Sequence, residues 1–181
     1  MRLMLIRHLP TEWNEKGLLQ GKRNTAIDEK SLINQKAGIC HNKKILEKFK
    51  PFDCVLASEL LRTQQTAKVY GFDFHAEPLL NELDFGEFEG TEKETFVQNH
   101  IDWLSHPKKL ILGESLADFE HRIFQFIQCY RKYEQVLAFG HGSWIRGLIS
   151  IVNYGDINQM NRINVDNNEL ILLEVPSFIV H

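Results

Sequence analysis

Residues 3–14, "LMLIRHLPTEWN", begin with four apolar side chains and then place Arg7 and His8 side by side ahead of a leucine and a proline. A short, continuous apolar run is typical of a β-strand that is covered on both faces, as in the middle of a parallel sheet. Neither a guanidinium nor an imidazole is needed to end such a strand. The pair therefore marks a candidate functional position, whose partners have to come from elsewhere in the chain.

The composition indicates one globular domain. The chain has 181 residues, of which 43% are hydrophobic, and this is enough to bury one substantial core, so we expect a single domain over residues 1–181. The formal net charge of −3 gives no overall electrostatic footprint for nucleic acid or an anionic membrane, and we expect neither as a partner. Nothing in the sequence indicates an oligomeric state.

Two further features suggest a cytoplasmic protein. The first apolar run is interrupted by Arg7 and His8 and is too short for a signal-peptide core or a membrane span. Three cysteines, Cys40, Cys54 and Cys129, are widely separated. Their odd number and spacing predict free, buried thiols in a reducing compartment.

Five short apolar runs are predicted to be strands, at residues 3–6, 54–57, 72–75, 136–139 and 170–175. Helical patterns lie between them. Strands that alternate with helices favour right-handed crossovers and a mainly parallel sheet with helices on both faces, which is a three-layer α/β/α fold.

Several polar residues are predicted to start helices. Ser58 is expected to cap a helix that runs to Val69, and Thr91 with Glu94 to form a capping box ahead of a helix over residues 96–104. Asp28 can cap the helix that follows it. Ser115 precedes the clearest pattern, in which apolar residues recur at steps of three and four.

Polar residues recur where predicted strands end, which is the edge where parallel sheets bind ligands. Gly140, His141 and Gly142 follow one apolar run and open a helical pattern. Glycine allows close approach of the backbone, and free amides at a helix start can hold an anion. Arg62, four residues after Ser58, can reach back over a strand end, while Glu82 precedes a glycine-punctuated aromatic loop.

Taken together these segments resemble the histidine phosphatase superfamily, the phosphoglycerate mutase-like or RHG-motif enzymes. Arg7 and His8, with Thr11 and Asn14, resemble the opening R-H-G-x-T-x-x-N motif. The other matching segments are S-x-L-x-R-x-x-Q-T-A at 58–67, L-x-E at 80–82 with the loop 85–90, G-E-S at 113–115 and H-G-x-x-I-R at 141–146. The resemblance covers most of the chain.

The resemblance implies a metal-independent phosphomonoester hydrolase that acts on a small phosphorylated metabolite without a cofactor. His8 would be the nucleophile that accepts the phosphoryl group, and Glu82 would serve as general acid and then base. The non-bridging oxygens would be held by Arg7, Arg62, His141 and Gly142, with Asn14 as a further contact. The remaining histidines show no metal-ligand spacing, and we assign no metal.

Physical chemistry is consistent with these roles. Phosphoryl transfer spreads negative charge over three oxygens, so a site without a metal needs several fixed donors. Two arginines beside His8 disfavour the imidazolium, and the ring should stay neutral and nucleophilic. One ring nitrogen would then attack while the other donates to a backbone carbonyl.

Some positions depart from the family pattern. Leu9 replaces the usual glycine, and we expect its side chain to pack away from the pocket. Phe88 and Trp144 are either part of a hydrophobic wall or core residues. Residues 85–112 are expected to cover the pocket and carry both apolar and basic side chains, namely Phe96, Trp103, Leu104, Lys108 and Lys109.

Two alternatives stay open. A cofactor-dependent phosphoglycerate mutase would use the same residues, although the compact stretch between Glu82 and His141 lacks the longer covering insertions by which the family excludes water. A non-catalytic module that binds phosphorylated ligands would keep the arginines. A serine hydrolase is disfavoured, because the nucleophile elbow G-x-S-x-G would need a glycine at Ile145.

Overall fold

A computed structural model, which describes residues 1–177, contains a five-stranded sheet. The strands are β1 (Arg2–Arg7), β2 (Cys54–Ala57), β3 (His75–Ala76), β4 (Gln135–Gly140) and β5 (Leu170–Glu174). They lie in the order β3-β2-β4-β1-β5. The pairs among β1 to β4 are parallel, and β5 runs antiparallel to β1 at the edge. The predicted, mainly parallel sheet is confirmed.

Within residues 1–177, seven α-helices surround the sheet. They are α1 (Glu12–Glu15), α2 (Glu29–Leu46), α3 (Leu61–Tyr70), α4 (Lys93–Asn99), α5 (Asp102–Ser105), α6 (Leu116–Tyr130) and α7 (Gly142–Tyr154). Alternate residues of β1 enter two cores: Leu3 and Leu5 pack with side chains of α6 and α7, and Met4 and Ile6 pack with side chains of α2 and α3. This arrangement is the predicted three-layer α/β/α fold.

The two central strands end at the same edge of the sheet. Strand β1 pairs with β4 in parallel from Arg2 opposite Gln135 to Arg7 opposite Gly140. The amide of His8 then donates to the carbonyl oxygen of Gly140 at 2.9 Å, which extends the pairing by one residue. His8 and His141 are therefore the first residues beyond two neighbouring strands, although the sequence separates them widely.

Two predicted caps are present. The Ser115 side chain accepts a hydrogen bond from the amide of Asp118 at the start of α6. The Asp28 side chain accepts one from the amide of Ser31 at the start of α2. Both residues satisfy an amide that would otherwise lack a partner in the first helical turn.

Two other predicted caps are wrong. Helix α3 begins at Leu61, with Leu60 as its N-cap, because the Ser58 hydroxyl is hydrogen-bonded to Thr63 and His141. The Thr91 hydroxyl donates to the carbonyl of Phe88, and the helix starts at Lys93. The predicted helix over 96–104 is broken into α4 and α5, and the third predicted strand, 72–75, is reduced to His75–Ala76.

The cysteines are free, as predicted, but they are not buried. Cys40 and Cys129 are exposed and Cys54 is partly buried. The first two lie on solvent-facing sides of α2 and α6. Within residues 1–177, no helix combines the length and the apolar character needed to cross a membrane.

Candidate active site

His8 and His141 face each other at the carboxyl edge of the sheet. Their ring centroids are 5.3 Å apart and the rings are tilted by 60°. Both side chains are buried. His8 Nδ1 lies 2.8 Å from the carbonyl oxygen of Leu9. A carbonyl only accepts, so this bond places the proton on Nδ1 and leaves the lone pair of the neutral ring on Nε2.

Burial keeps both imidazoles neutral. It is the largest cause that holds the pKa of His8 well below its usual value, followed by the positive charges of Arg62 and Arg7. Burial also lowers the pKa of His141, with Arg62 the next contribution. The expected neutral state of His8 thus has an additional, larger cause than the arginines alone.

The Arg62 guanidinium is fixed by the protein backbone. Arg62 is fully buried near the start of α3 and donates to the carbonyl oxygens of Gly21 at 2.8 Å and Arg23 at 2.7 Å. Burial lowers its pKa to about 10, so the group keeps its charge at neutral pH. It is held in place before any ligand arrives.

Arg7 is held in a similar way from the other side of the site. Its guanidinium donates to the carbonyl oxygen of Val165 at 2.6 Å. Gly142 makes room for it, since a Cβ at that position would lie 3.3 Å from Arg7 Cζ. The Nε atoms of Arg7 and Arg62 are buried and have no hydrogen-bond partner among residues 1–177. Buried cationic donors without acceptors favour binding of an anion.

Glu82 is held at the start of α7. Its carboxylate accepts hydrogen bonds from the amides of Ser143 and Trp144, both at 3.1 Å, and from its neighbour Leu83 at 3.0 Å. We expected the amides at this helix start to be free for an anionic ligand, but two of them bind the Glu82 carboxylate instead. The same helix start thus carries His141 at its N-cap and fixes Glu82.

The remaining positions singled out in the sequence fall into two groups, those that line the cavity and those that do not. Asn14 lines the cavity with Gly142, and its side-chain oxygen accepts from the amide of Thr11 at 3.1 Å. Leu9 is fully buried and does not line the cavity, as expected. Trp144 is fully buried and Phe88 packs on Phe96, and neither lines the cavity. Trp144 is a core residue, and Phe88 is partly buried and packs against the core.

A cavity of about 370 Å³ opens beside these residues. Three aromatic side chains form part of its lining, Phe85, Phe96 and Trp103. Leu104, Lys108 and Lys109, which we expected to act with them, do not line it. Lys108 forms an ion pair with the buried carboxylate of Glu120.

Two cations in the cavity lining were given no role from the sequence, although one of them, Arg146, ends the H-G-x-x-I-R segment. Lys93 opens α4 and Arg146 lies on the second turn of α7. Burial lowers the pKa of Arg146 to about 10. The four-residue step from Gly142 places Arg146 on the same face of the helix and was an available signal. Lys93 had none, because its approach to the cavity depends on how the segment after Glu82 folds back.

The fold and the cavity define a class of protein: three-layer α/β proteins that gather two neutral histidines and two buried arginines at the edge of a parallel sheet, a set of groups suited to binding phosphate. Within that class, the chain belongs to the histidine phosphatase superfamily (branch 1), whose family model matches residues 3–177.

Relatives with different activities are similar to the chain. It is 27% identical over 180 residues to the "Putative phosphoserine phosphatase 2" of Hydrogenobacter thermophilus, covering 92% of this chain and 85% of the relative. It is 26% identical over 181 residues to a 2,3-bisphosphoglycerate-dependent phosphoglycerate mutase of Rhizobium meliloti, covering 90% and 84%. The structure of the alpha-ribazole phosphatase of Shigella flexneri matches with a TM-score of 0.78 and 28% identity, covering 98% and 92%.

Proposed function

We propose that the chain is a metal-independent phosphomonoester hydrolase that acts on a small phosphorylated metabolite through a phosphohistidine at His8. The observation that carries the proposal is the pair of buried imidazoles, with centroids 5.3 Å apart, of which His8 lines the cavity together with Arg7 and Arg62, while His141 does not line it. A neutral nucleophile beside fixed cations is what transfer of an anionic phosphoryl group requires.

The residues divide the reaction into two steps. In the first, the lone pair of His8 Nε2 forms a bond to phosphorus while the bond to the leaving oxygen breaks, and Glu82 gives that oxygen a proton. Arg7, Arg62 and His141 hold the non-bridging oxygens, with Asn14 and Gly142 as further contacts. In the second, Glu82 takes a proton from water, the water oxygen attacks phosphorus, and the bond to His8 breaks. Inorganic phosphate leaves and His8 is neutral again.

The substrate in this proposal carries a second negative charge. Lys93 and Arg146 line the cavity together with Arg7, and after burial these two arginines are the causes that lower the pKa of Lys93. A second anionic group on the substrate would relieve the repulsion among the three cations. Phosphoserine and phosphoglycerate, on which relatives are named as acting, are both phosphate esters of small carboxylic acids.

The extent of the domain is part of the same proposal. Residues 1–181 would form one domain in which the segment 85–112 covers the pocket. Phe85, Phe96 and Trp103 support this reading, because all three belong to that segment and line the cavity.

The test is a phosphate-release assay combined with trapping of the phosphoenzyme. Wild-type protein is expected to release inorganic phosphate from small phosphomonoesters, most efficiently from those with a carboxylate, and to form an acid-labile phosphoryl-protein. His8→Ala should abolish the trapped species and lower kcat/KM by about 10³-fold or more. The control is His75→Ala, at an exposed position on the edge strand β3, which should leave both unchanged. A wild-type rate in His8→Ala would refute the proposal.

A mutase activity has a distinct signature. The match to phosphoglycerate mutases makes 3-phosphoglycerate the necessary substrate for this comparison, with and without 2,3-bisphosphoglycerate. A hydrolase yields inorganic phosphate in both cases. Formation of 2-phosphoglycerate faster than phosphate release, dependent on the bisphosphate, would instead assign the mutase reaction to the chain.

A further inference from the structure

Glu82 lies in a segment that has no regular secondary structure of its own. Residues 81–85 connect two short 3₁₀ turns, Pro78–Leu80 and Gly86–Phe88. A proton-transferring carboxyl group must be placed to within a fraction of an ångström to be effective. The position of Glu82 therefore depends on what holds the backbone of this segment.

Arg122, on helix α6, holds the backbone at Glu82 and just before it. One terminal nitrogen of its guanidinium donates to the carbonyl oxygens of Asn81 at 2.6 Å and Leu79 at 3.2 Å. The other terminal nitrogen reaches the carbonyl oxygen of Glu82 itself at 3.4 Å. One planar side chain thus contacts three carbonyls in four residues, a geometry that suits the fixed fork of donors in a guanidinium.

Glu114 completes the arrangement from the start of the same helix. One of its carboxylate oxygens accepts from Arg122 at 2.9 Å and from the amide of Asp84 at 2.9 Å. The amides of Gly113 and Glu114 in turn donate to the carbonyl oxygen of Asp84. Arg122 therefore binds the carbonyls at and before Glu82, and residues 113 and 114 bind the backbone of Asp84, which follows it.

The end of the segment is packed closely against the loop that precedes α6. A Cβ added to Gly86 would lie 2.8 Å from the Cα of Gly113, so the two backbones are already in close contact. The side chains of Arg122 and Glu114 are each only 16% exposed. An ion pair at this depth is screened much less by water than a surface pair.

Neither Arg122 nor Glu114 lines the cavity, so neither is placed to touch a substrate there. We propose that Arg122 and Glu114 form a clamp that positions Glu82 for proton transfer to the leaving group, which makes Arg122 a positioning residue of the reaction. This inference rests on the proposed function, in which Glu82 is the general acid.

The experiment compares leaving groups. For 4-nitrophenyl phosphate the leaving oxygen departs without a proton, whereas n-butyl phosphate needs one. Arg122→Gln is expected to lower kcat/KM for n-butyl phosphate by about tenfold or more and that for 4-nitrophenyl phosphate by less than about threefold. Glu82→Gln should show the same selectivity. Arg122→Lys should recover part of the loss, and Arg122→Gln should add little in the Glu82→Gln background.

The matched control is Arg131→Gln, which removes an exposed arginine just past the end of the same helix and should change neither rate. If Arg122→Gln does not fold, Arg122→Lys and Glu114→Gln carry the same comparison. An equal loss on both esters, or losses that multiply fully in the double variant, would overturn the clamp while leaving phosphate release through His8 intact. A wild-type protein that hydrolyses neither ester would instead remove the proposed function itself.

Discussion

At His8, the surroundings set the charge of the ring before a substrate is present. The side chain is 3% exposed and that of His141 is fully buried, and burial is the largest cause that lowers both pKa values. Because water is excluded, a charged ring would be costly at either position. A low pKa at these residues also ties the stability of the fold to pH.

This link predicts that the protein loses stability below about pH 6.5. In the unfolded chain both histidines take up protons near their ordinary pKa of about 6.5, while in the folded protein they stay neutral. The unfolded state therefore binds more protons as the pH falls. Each ring should subtract about 1 kcal/mol of unfolding free energy per pH unit below that point, which urea unfolding at pH 7.5, 6.5 and 5.5 would measure.

Variants assign the effect to these rings. A plot of unfolding free energy against pH should have a smaller slope in His8→Gln than in wild type. The difference should equal the contribution of one histidine ring. His75→Gln, at an exposed position, should keep the wild-type slope. An unchanged slope in His8→Gln would show that this ring takes up a proton equally in both states.

At the scale of elements, the loop 163–169 before β5 holds the backbone of Arg7 and His8. The Asn168 amide donates to the carbonyl of Arg7 at 3.0 Å, and Asn167 donates to the carbonyl of His8 at 2.8 Å. Asn168 has a positive φ of 64°. Its buried side chain accepts from the hydroxyl of Tyr70 at 2.6 Å and donates to Gln35. The loop is thus tied to α2 and α3.

We predict that Asn168→Ala destabilises the protein by about 3 kcal/mol, because it leaves a buried hydroxyl of Tyr70 short of an acceptor and puts alanine in a left-handed conformation. Activity should also fall, since the loop holds Arg7 through Val165. Asn168→Gly should be less harmful, because it removes only the side-chain bonds. Urea unfolding gives the free energies.

Asn153→Ala, at an exposed position of α7, is the matched control for that series. It should change the unfolding free energy by less than about 0.5 kcal/mol. Equal stabilities of Asn168→Ala and Asn168→Gly would mean that the backbone conformation at this position carries no cost.

Most of the predicted caps divide by whether the capping side chain has local or distant partners; Thr91 is the exception, since its hydroxyl donates to Phe88, three residues earlier. Ser115 and Asp28 were predicted correctly because their side chains have only local partners. Ser58 was predicted wrongly because its hydroxyl lies 2.7 Å from His141 Nε2, a contact that depends on two strands being neighbours. Local hydrogen-bonding rules fail where a distant residue competes for the same atom.

The same distinction applies to the site. His8, His141 and Arg62 stand in motifs at or just after strand ends, and the topology brings such ends together. Glu82 stands in a motif of its own. Lys93 and Arg122 act over contacts that no local pattern encodes. The basic residues expected in the covering segment show where prediction from sequence fails: Lys108 forms an ion pair with Glu120 and does not line the cavity.

For the molecule as a whole, cations are concentrated at one cavity in a chain of net charge −3. Arg7, Arg62, Lys93 and Arg146 all line it. We predict that inorganic phosphate stabilises the folded state, because it binds there and not to the unfolded chain. At ten times its dissociation constant the gain is about 1.4 kcal/mol, or a rise in Tm of about 3–5 °C, measurable by calorimetry.

Chloride at equal ionic strength is the solvent control for this measurement, and Arg131→Gln is the control variant. The Tm in chloride is the baseline. Wild type and Arg131→Gln should both show the full rise in Tm with phosphate, whereas Arg62→Gln should lose most of it. The same rise in Arg62→Gln as in wild type would place the phosphate elsewhere on the surface.

The pairing of β1 with β4 bears on when the site comes into being during synthesis. His8 leaves the ribosome early, but the strand that places His141 against it is not made until residues 135–140 have followed. A ribosome-bound chain that stops before this strand has His8 without His141 beside it. Under the proposed function, turnover of a phosphomonoester should therefore appear only once β4 and His141 have been made and paired with β1.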